Sequence, residues 1–191
     1  HALNNSHPLS LLLIDVDLRR PSVHKRLPVS NDIGLTTVAR DPSTLQASVR
    51  KTQWQGLDCL PTGPVPPDPC EFLNSAKCHQ VLAQAQDLYD IVILDSPPCI
   101  GLSDMQVINT LANGILMVVA LDRTSKAEIA LAMRMLRQVG ADSIGAVINR
   151  VAPSSQSYYG YYGYYGYEYS DTPDDGDGSQ KKRRRRQAKS G

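Results

Sequence analysis

Two aspartates one residue apart, Asp15 and Asp17, close an unbroken aliphatic run at residues 11–14, and Arg19, Arg20 and Pro21 follow them (LLLIDVDLRRP). A third, Asp95, ends a second such run inside YDIVILDSPP, residues 89–98. Asn149 follows a further apolar stretch at residues 144–148. Carboxylates placed together repel unless a cation lies between them, and a hydrated Mg²⁺ carried on a nucleotide meets that need. Phosphoryl transfer requires carboxylates that hold Mg²⁺ and one that receives the proton of the attacking hydroxyl. Asp15, Asp17 and Asp95 can supply both. Asn149 is placed to read an adenine edge. Ser96, with Pro97 and Pro98 fixing its turn, is placed to hold a γ-phosphate or a metal-bound water. The plain alternative for the first stretch alone is a strand ending in a polar, arginine-paired turn.

Positioning these groups together requires a sheet whose strand ends share one edge. Continuous apolar runs of this length read as strands buried on both faces of a parallel sheet. Open α/β sheets place their ligands at the carboxyl ends of such strands. On an extended strand the i, i+2 spacing puts Asp15 and Asp17 on the same side. Residues 57–60 and 114–121 read as further strands, the latter in the core, and residues 144–148 as the last. Between them lie a helical turn at 21–27, a loop at 31–34 and a short helix at 34–40 closed by Asp41-Pro42. Four prolines between residues 64 and 69 forbid a helix and give a stiff, extended connection. Asp68 is then an N-cap with Pro69 at the first helical position, opening a helical stretch broken near Ser75 and ending at Leu88. Ser125 and Glu128 form a capping-box pattern. The helix it opens carries Ile129, Met133, Leu136 and Val139 on one face, and Gly140 stops it. Strands alternating with helices imply βαβ units, hence an α/β fold with a mostly parallel sheet flanked by helices.

A length of 191 residues suits one domain and a tail, placed at 1–157 and 158–191. No apolar run approaches the roughly 18 residues of a membrane span, and residues 1–10 contain no secretory h-region. The first residue is His, which favours a fragment of a longer gene product. The four cysteines form no CxxC pair, and read as free thiols of a reducing compartment. Residues 1–157 carry 13 Lys+Arg against 14 Asp+Glu, a net charge of −1, and residues 158–191 carry 7 against 5, or +2. The tail is sharply partitioned. Residues 158–169 read YYGYYGYYGYEY and hold eight of the nine tyrosines (Tyr158, Tyr159, Tyr161, Tyr162, Tyr164, Tyr165, Tyr167 and Tyr169). Such a segment buries no core, so it is expected to be disordered and accessible. An acidic patch at 171–177 and a basic run from Lys181 to Arg186 follow. The basic run reads as a solvated tail or as a contact for anionic lipid. Nucleic acid is disfavoured, because no basic folded face or aromatic platform supports it.

LLLIDVDLRRP resembles the Walker A′ motif of the bacterial tyrosine kinases of polysaccharide export, and IVILDSPP resembles their Walker B. LDCLPTGPVPPDPCEFL is similar to the segment between the two in that family, and the tyrosine cluster to the one its members autophosphorylate. The resemblance covers roughly residues 11–169. It implies a P-loop NTPase-like fold that uses ATP and Mg²⁺. It further implies that Asp15 and Asp17 divide metal coordination and proton acceptance, in an order it leaves open. Asp95 would support Mg²⁺, and Tyr158 to Tyr169 would be phosphorylated between subunits of a ring. The setting implied is the cytoplasmic side of the cell membrane, beside a polysaccharide co-polymerase that activates the kinase. The family's first strand and its GxxxxGK[ST] loop are expected before Leu11, and residues 1–10 contain neither glycine nor lysine. Without the loop's amides and lysine, phosphate binding loses its main donors, so this stretch alone is expected to be inactive. The absent strand is expected in the middle of the sheet, leaving apolar edges unpaired. Two other readings remain: an inactive phosphoacceptor or adaptor, and an ATPase of the partition or cell-division-site type.

Overall fold

β1 (Leu11–Asp15) lies between two parallel neighbours, β3 (Leu57–Leu60) and β4 (Ile91–Asp95). A two-residue antiparallel strand, β2 (Arg50–Lys51), completes a four-stranded sheet of order β2-β3-β1-β4. β5 (Ile115–Ala120) and β6 (Ser143–Asn149) pair with each other, also in parallel, as a second sheet. These elements come from a computed structural model that describes residues 9–100 and 104–151. The expected tail at 158–191, with its tyrosines and basic run, lies outside them, as does the expected boundary at residue 157. The described residues up to Arg150 form one compact unit.

Local sequence accounts for most of the helices. Asp68 accepts from the Glu71 N–H and Pro69 takes the first position of α4 (Pro69–Leu73). The chain then breaks at Ser75, as expected. Its hydroxyl bonds the Phe72 carbonyl and accepts from the Cys78 N–H, closing one helix and opening α5 (Ala76–Leu88). Cys78, Val81, Leu82 and Ala85 form the buried face of α5, at the spacing a one-sided helix requires. Ser125 and Glu128 cap α7 (Lys126–Gln138) reciprocally, and Gly140 turns the chain at φ 65°. Leu12, Ile14, Leu35 and Val81 share one hydrophobic core with Ile108 of α6 (Asp104–Leu111) and Leu136 of α7, so both sheets pack on a common interior. All four cysteines are free. Burial pushes the Cys78 thiol up to about 12, leaving it inert at neutral pH.

Three expectations need correction. β4 and β5 are not buried on both faces: Ile91 is 43% exposed, Ile93 42%, Leu116 50% and Val118 64%. Each has a hydrogen-bonded neighbour on one edge only among the described residues. Asp17 does not continue the strand, which ends at Asp15, so the two aspartates do not share a strand face. Finally, the segment read only as a helix closure at Asp41-Pro42 goes on into a short 3-10 turn (Pro42–Thr44), α3 (Leu45–Ser48) and β2. Elements of two to four residues are too short to show a periodicity.

Candidate active site

The parallel pairing of β1 and β4 sets Asp15 directly opposite Asp95. The ladder runs one bond further, with the Val16 N–H donating to the Asp95 carbonyl at 2.9 Å. Both strands therefore deliver a carboxylate at the same edge, at the same height. Beyond Asp15 the chain folds back around that residue's side chain. One carboxylate oxygen accepts from the Asp17 N–H at 3.2 Å, and the other from Ser22 and Val23 at 3.1 and 3.0 Å. The latter two bonds hold the start of α1 (Val23–Arg26) against the end of the strand. Asp15 is wholly buried, and loss of solvent pushes its pKa above the ordinary carboxylate value against the pull of those N–H donors.

Asp17, half-buried, sits in the turn that Asp15 organises, and accepts from the Arg20 N–H at 3.0 Å. Asp95 stands at the open sheet edge. Partial desolvation raises its pKa, the negative charges of Asp15 and Asp17 raise it further, and the Arg26 guanidinium on α1 opposes them. The three carboxylates thus feel one another, and a cation among them would relieve the repulsion. Asp15 has both oxygens engaged, so Asp17 and Asp95 are the pair that fits such an ion. No group of three or more His, Cys, Asp or Glu side chains forms a metal cage among the described residues. A Mg²⁺ bound through one or two carboxylates and substrate phosphates needs none.

The remaining expected residues are Ser96, next to Asp95 in the chain, and Asn149. Ser96 is exposed in the turn after β4. Asn149 ends β6, in the other sheet, and its side-chain oxygen accepts from the Arg150 N–H at 2.7 Å. Arg150, at φ 60°, is tied to the Asp122 carboxylate at 2.9 Å. The structure therefore joins Asp15, Asp17 and Asp95 directly, and leaves Asn149 on a separate strand end.

Sequence reasoning missed the clamp that holds the end of β1. The buried Thr62 hydroxyl donates to the Asp15 carbonyl at 3.1 Å. The Asn31 side chain grips Gly63 at both its N–H and its carbonyl, at 2.8 and 3.1 Å. Gly34 packs so closely that a Cβ there would lie 2.2 Å from the Pro61 oxygen. The available signal was the pairing of NDIG with PTG, two loop motifs 30 residues apart, and nothing local says that they touch.

No protein-family model matches the chain. It is 37% identical over 150 residues to tyrosine-protein kinase YwqD of Bacillus subtilis (strain 168), an alignment spanning 78% of this chain and 63% of that protein. It is 36% identical over 149 residues to tyrosine-protein kinase etk of Escherichia coli (strain K12), spanning 78% of this chain and 20% of that one. Among solved structures, the kinase domain of the E. coli tyrosine kinase ETK superposes with a TM-score of 0.69 at 33% identity, over 77% of this chain and 58% of that one. The chimerical protein CapA2B2 gives 0.71 at 29% identity, over 75% and 64%. The cell-division ATPase MinD of Pyrococcus furiosus gives 0.60 at 22% identity, over 77% and 62%, a likeness of fold alone. The chain spans less than two thirds of the curated relatives it matches.

Proposed function

The chain is a homologue of the bacterial tyrosine-protein kinases, and on that premise we propose that it is part of a protein-tyrosine autokinase domain. The reaction transfers the γ-phosphoryl group of ATP to tyrosine hydroxyls of a neighbouring subunit's tail, at Tyr158 to Tyr169. The observation that carries this reading is the in-register placement of Asp15 and Asp95, with Asp17 turned in beside them. The roles divide by accessibility. Asp15 is a positioning residue, because its carboxylate is spent on holding the turn. Asp17 and Asp95 face the reactants, one as metal ligand and the other as acceptor of the tyrosine proton. Mg²⁺, when bound, neutralises charge on the phosphates. Ser96 serves the γ-phosphate side, and the Asn149 amide the adenine.

The partners we propose are other copies in a ring and a membrane polysaccharide co-polymerase that activates the kinase. The Lys181 to Arg186 run would hold the tail near anionic lipid at the inner face of the cell membrane. Clustered phosphates of roughly −1.5 to −2 charge each would push subunits apart and end an assembly cycle. No helix among the described residues is long and apolar enough to cross a membrane. Identity of 36–37% to named tyrosine kinases, against 22% to a MinD ATPase, favours the kinase reading over the partition-type one.

The test uses the longer protein that contains this domain, supplied with Mg²⁺ and labelled ATP. Phosphotyrosine at 158–169 is expected, and Asp17→Asn is expected to cut its formation by about 10²-fold or more. ATP hydrolysis without tyrosine phosphate would instead establish the partition-type reading. Phosphorylation only by a second kinase, with no nucleotide bound, would establish an acceptor or adaptor.

A further inference from the structure

The proline-rich connection between β3 and α4 does more than link two elements. With α2 (Leu35–Val38) and its exit, and the start of α5, it walls a groove of about 270 Å³. Pro64, Pro66, Pro67 and Phe72 supply its apolar surface, and Arg40 and Lys77 its charge, with no carboxylate in the lining. The groove is stiff. Thr36 donates its hydroxyl to the Pro64 carbonyl at 2.8 Å, and Asn31 anchors Gly63 just before it. Its surface is nonetheless open, with Val65 56% exposed. None of the three strand-end aspartates lines it.

We propose that this groove docks the Tyr158–Tyr169 segment of a neighbouring copy, as a holding site separate from the catalytic carboxylates. The purpose of the contact rests on the kinase reading above, but the contact itself needs no phosphoryl transfer. Complementarity of charge selects the occupant. Residues 158–177 contain five carboxylates (Glu168, Asp171, Asp174, Asp175 and Asp177) and no lysine or arginine, against two cations and no acid in the groove. Complementarity of surface agrees with this. Prolines and Phe72 offer rigid apolar faces on which tyrosine rings stack with little rotamer entropy lost on the groove side. The YYG period supplies the third argument. An extended peptide with three residues per turn places Gly160, Gly163 and Gly166 in one row and the tyrosines from Tyr158 to Tyr167 in two others. A slide of three residues then restores the same contacts, so successive tyrosines can be held out in turn from one groove.

The experiment uses the full chain, with Val65→p-benzoylphenylalanine as a photo-crosslinker, mixed with a ¹⁵N-labelled wild-type copy and irradiated without ATP. The expected product joins the unlabelled groove to the labelled peptide 158–169, as read by mass spectrometry. The charge reversals Arg40→Glu and Lys77→Glu, both at exposed positions and checked for folding by circular dichroism, should weaken that product by at least about fivefold, the scale of losing two exposed charge contacts. A labelled synthetic peptide of residues 157–177 should bind the full chain, and the same peptide with every tyrosine replaced by serine should not. Equal cross-linking from a reporter at the exposed Trp54, which does not line the groove, would overturn the proposal. So would insensitivity to the charge reversals, products joined only within one copy, or capture of a folded surface instead of the tail. Because no step involves nucleotide, failure here leaves the kinase reading standing, and loss of kinase activity leaves this contact testable.

Discussion

β1 and β5 are both short aliphatic strands, LLLID and ILMVVA, but solvent treats them differently. Leu12 and Ile14 are sealed, whereas Leu116 and Val118 are 50% and 64% exposed. β1 has parallel strands on both edges and helices over its side chains, while β5 has β6 as its one paired strand among the described residues. The same pattern of residues thus gives a buried strand or an open one according to its neighbours. An apolar run states what a strand can bury, and the tertiary arrangement decides whether it does. The chemistry follows this division. The carboxylates that act on one another all belong to the four-stranded sheet, at the ends of β1 and β4 or in the turn after β1.

Core truncation should split the two sheets most widely. Ile14→Ala is expected to cost about 3–4 kcal/mol in urea unfolding, through lost burial and the cavity left behind. Val118→Ala should cost less than about 0.5 kcal/mol, as for other exposed positions. Equal losses would mean that β5 is covered in solution. Next in size is the contrast between the two neighbouring aspartates. Asp15→Ala orphans three backbone N–H groups and is expected to lose about 2–3 kcal/mol. Asp17→Ala should stay within about 1 kcal/mol of wild type while losing nucleotide-dependent chemistry. Hydrogen exchange would sharpen the picture further. Amides of β1 and β3 should exchange only on global unfolding, and those of β6 about a hundredfold faster by local opening.

The smallest effect expected is electrostatic. The pKa of Asp95 is raised above its ordinary value of 3.8, so the native state holds the proton more tightly than the unfolded chain does. Its contribution to stability therefore falls as pH rises from 3.8 through the folded value. Asp95→Asn should raise the melting temperature at pH 7 by a degree or two, and leave it unchanged well below pH 3.8, where both states are protonated. A variant less stable at pH 7 would show that Arg26 outweighs Asp15 and Asp17 at this site.

Much of this was legible before any coordinates. The α/β class, five of the six strands, the caps at Asp68 and Ser125, the break near Ser75 and the candidate aspartates at the strand ends all follow from local rules. Apolar runs, N-cap hydroxyls and carboxylates at strand ends carry their meaning within a few residues. What lay out of reach shares one physical cause, which is contact between residues distant in the chain. Strand pairing put Asp15 level with Asp95, 80 residues apart. Only backbone donors from the returning turn distinguished the buried Asp15 from the reachable Asp17, which the spacing had treated as equals. The Thr62 and Asn31 clamp arises because β3 lies beside β1, a fact of topology that neither loop encodes alone. The sequence by itself determined which residues could do chemistry and the class of sheet that carries them. The tertiary structure decided which carboxylate is buried among backbone donors and which stay within reach of solvent, because burial and hydrogen-bond donors are assigned by neighbours in space.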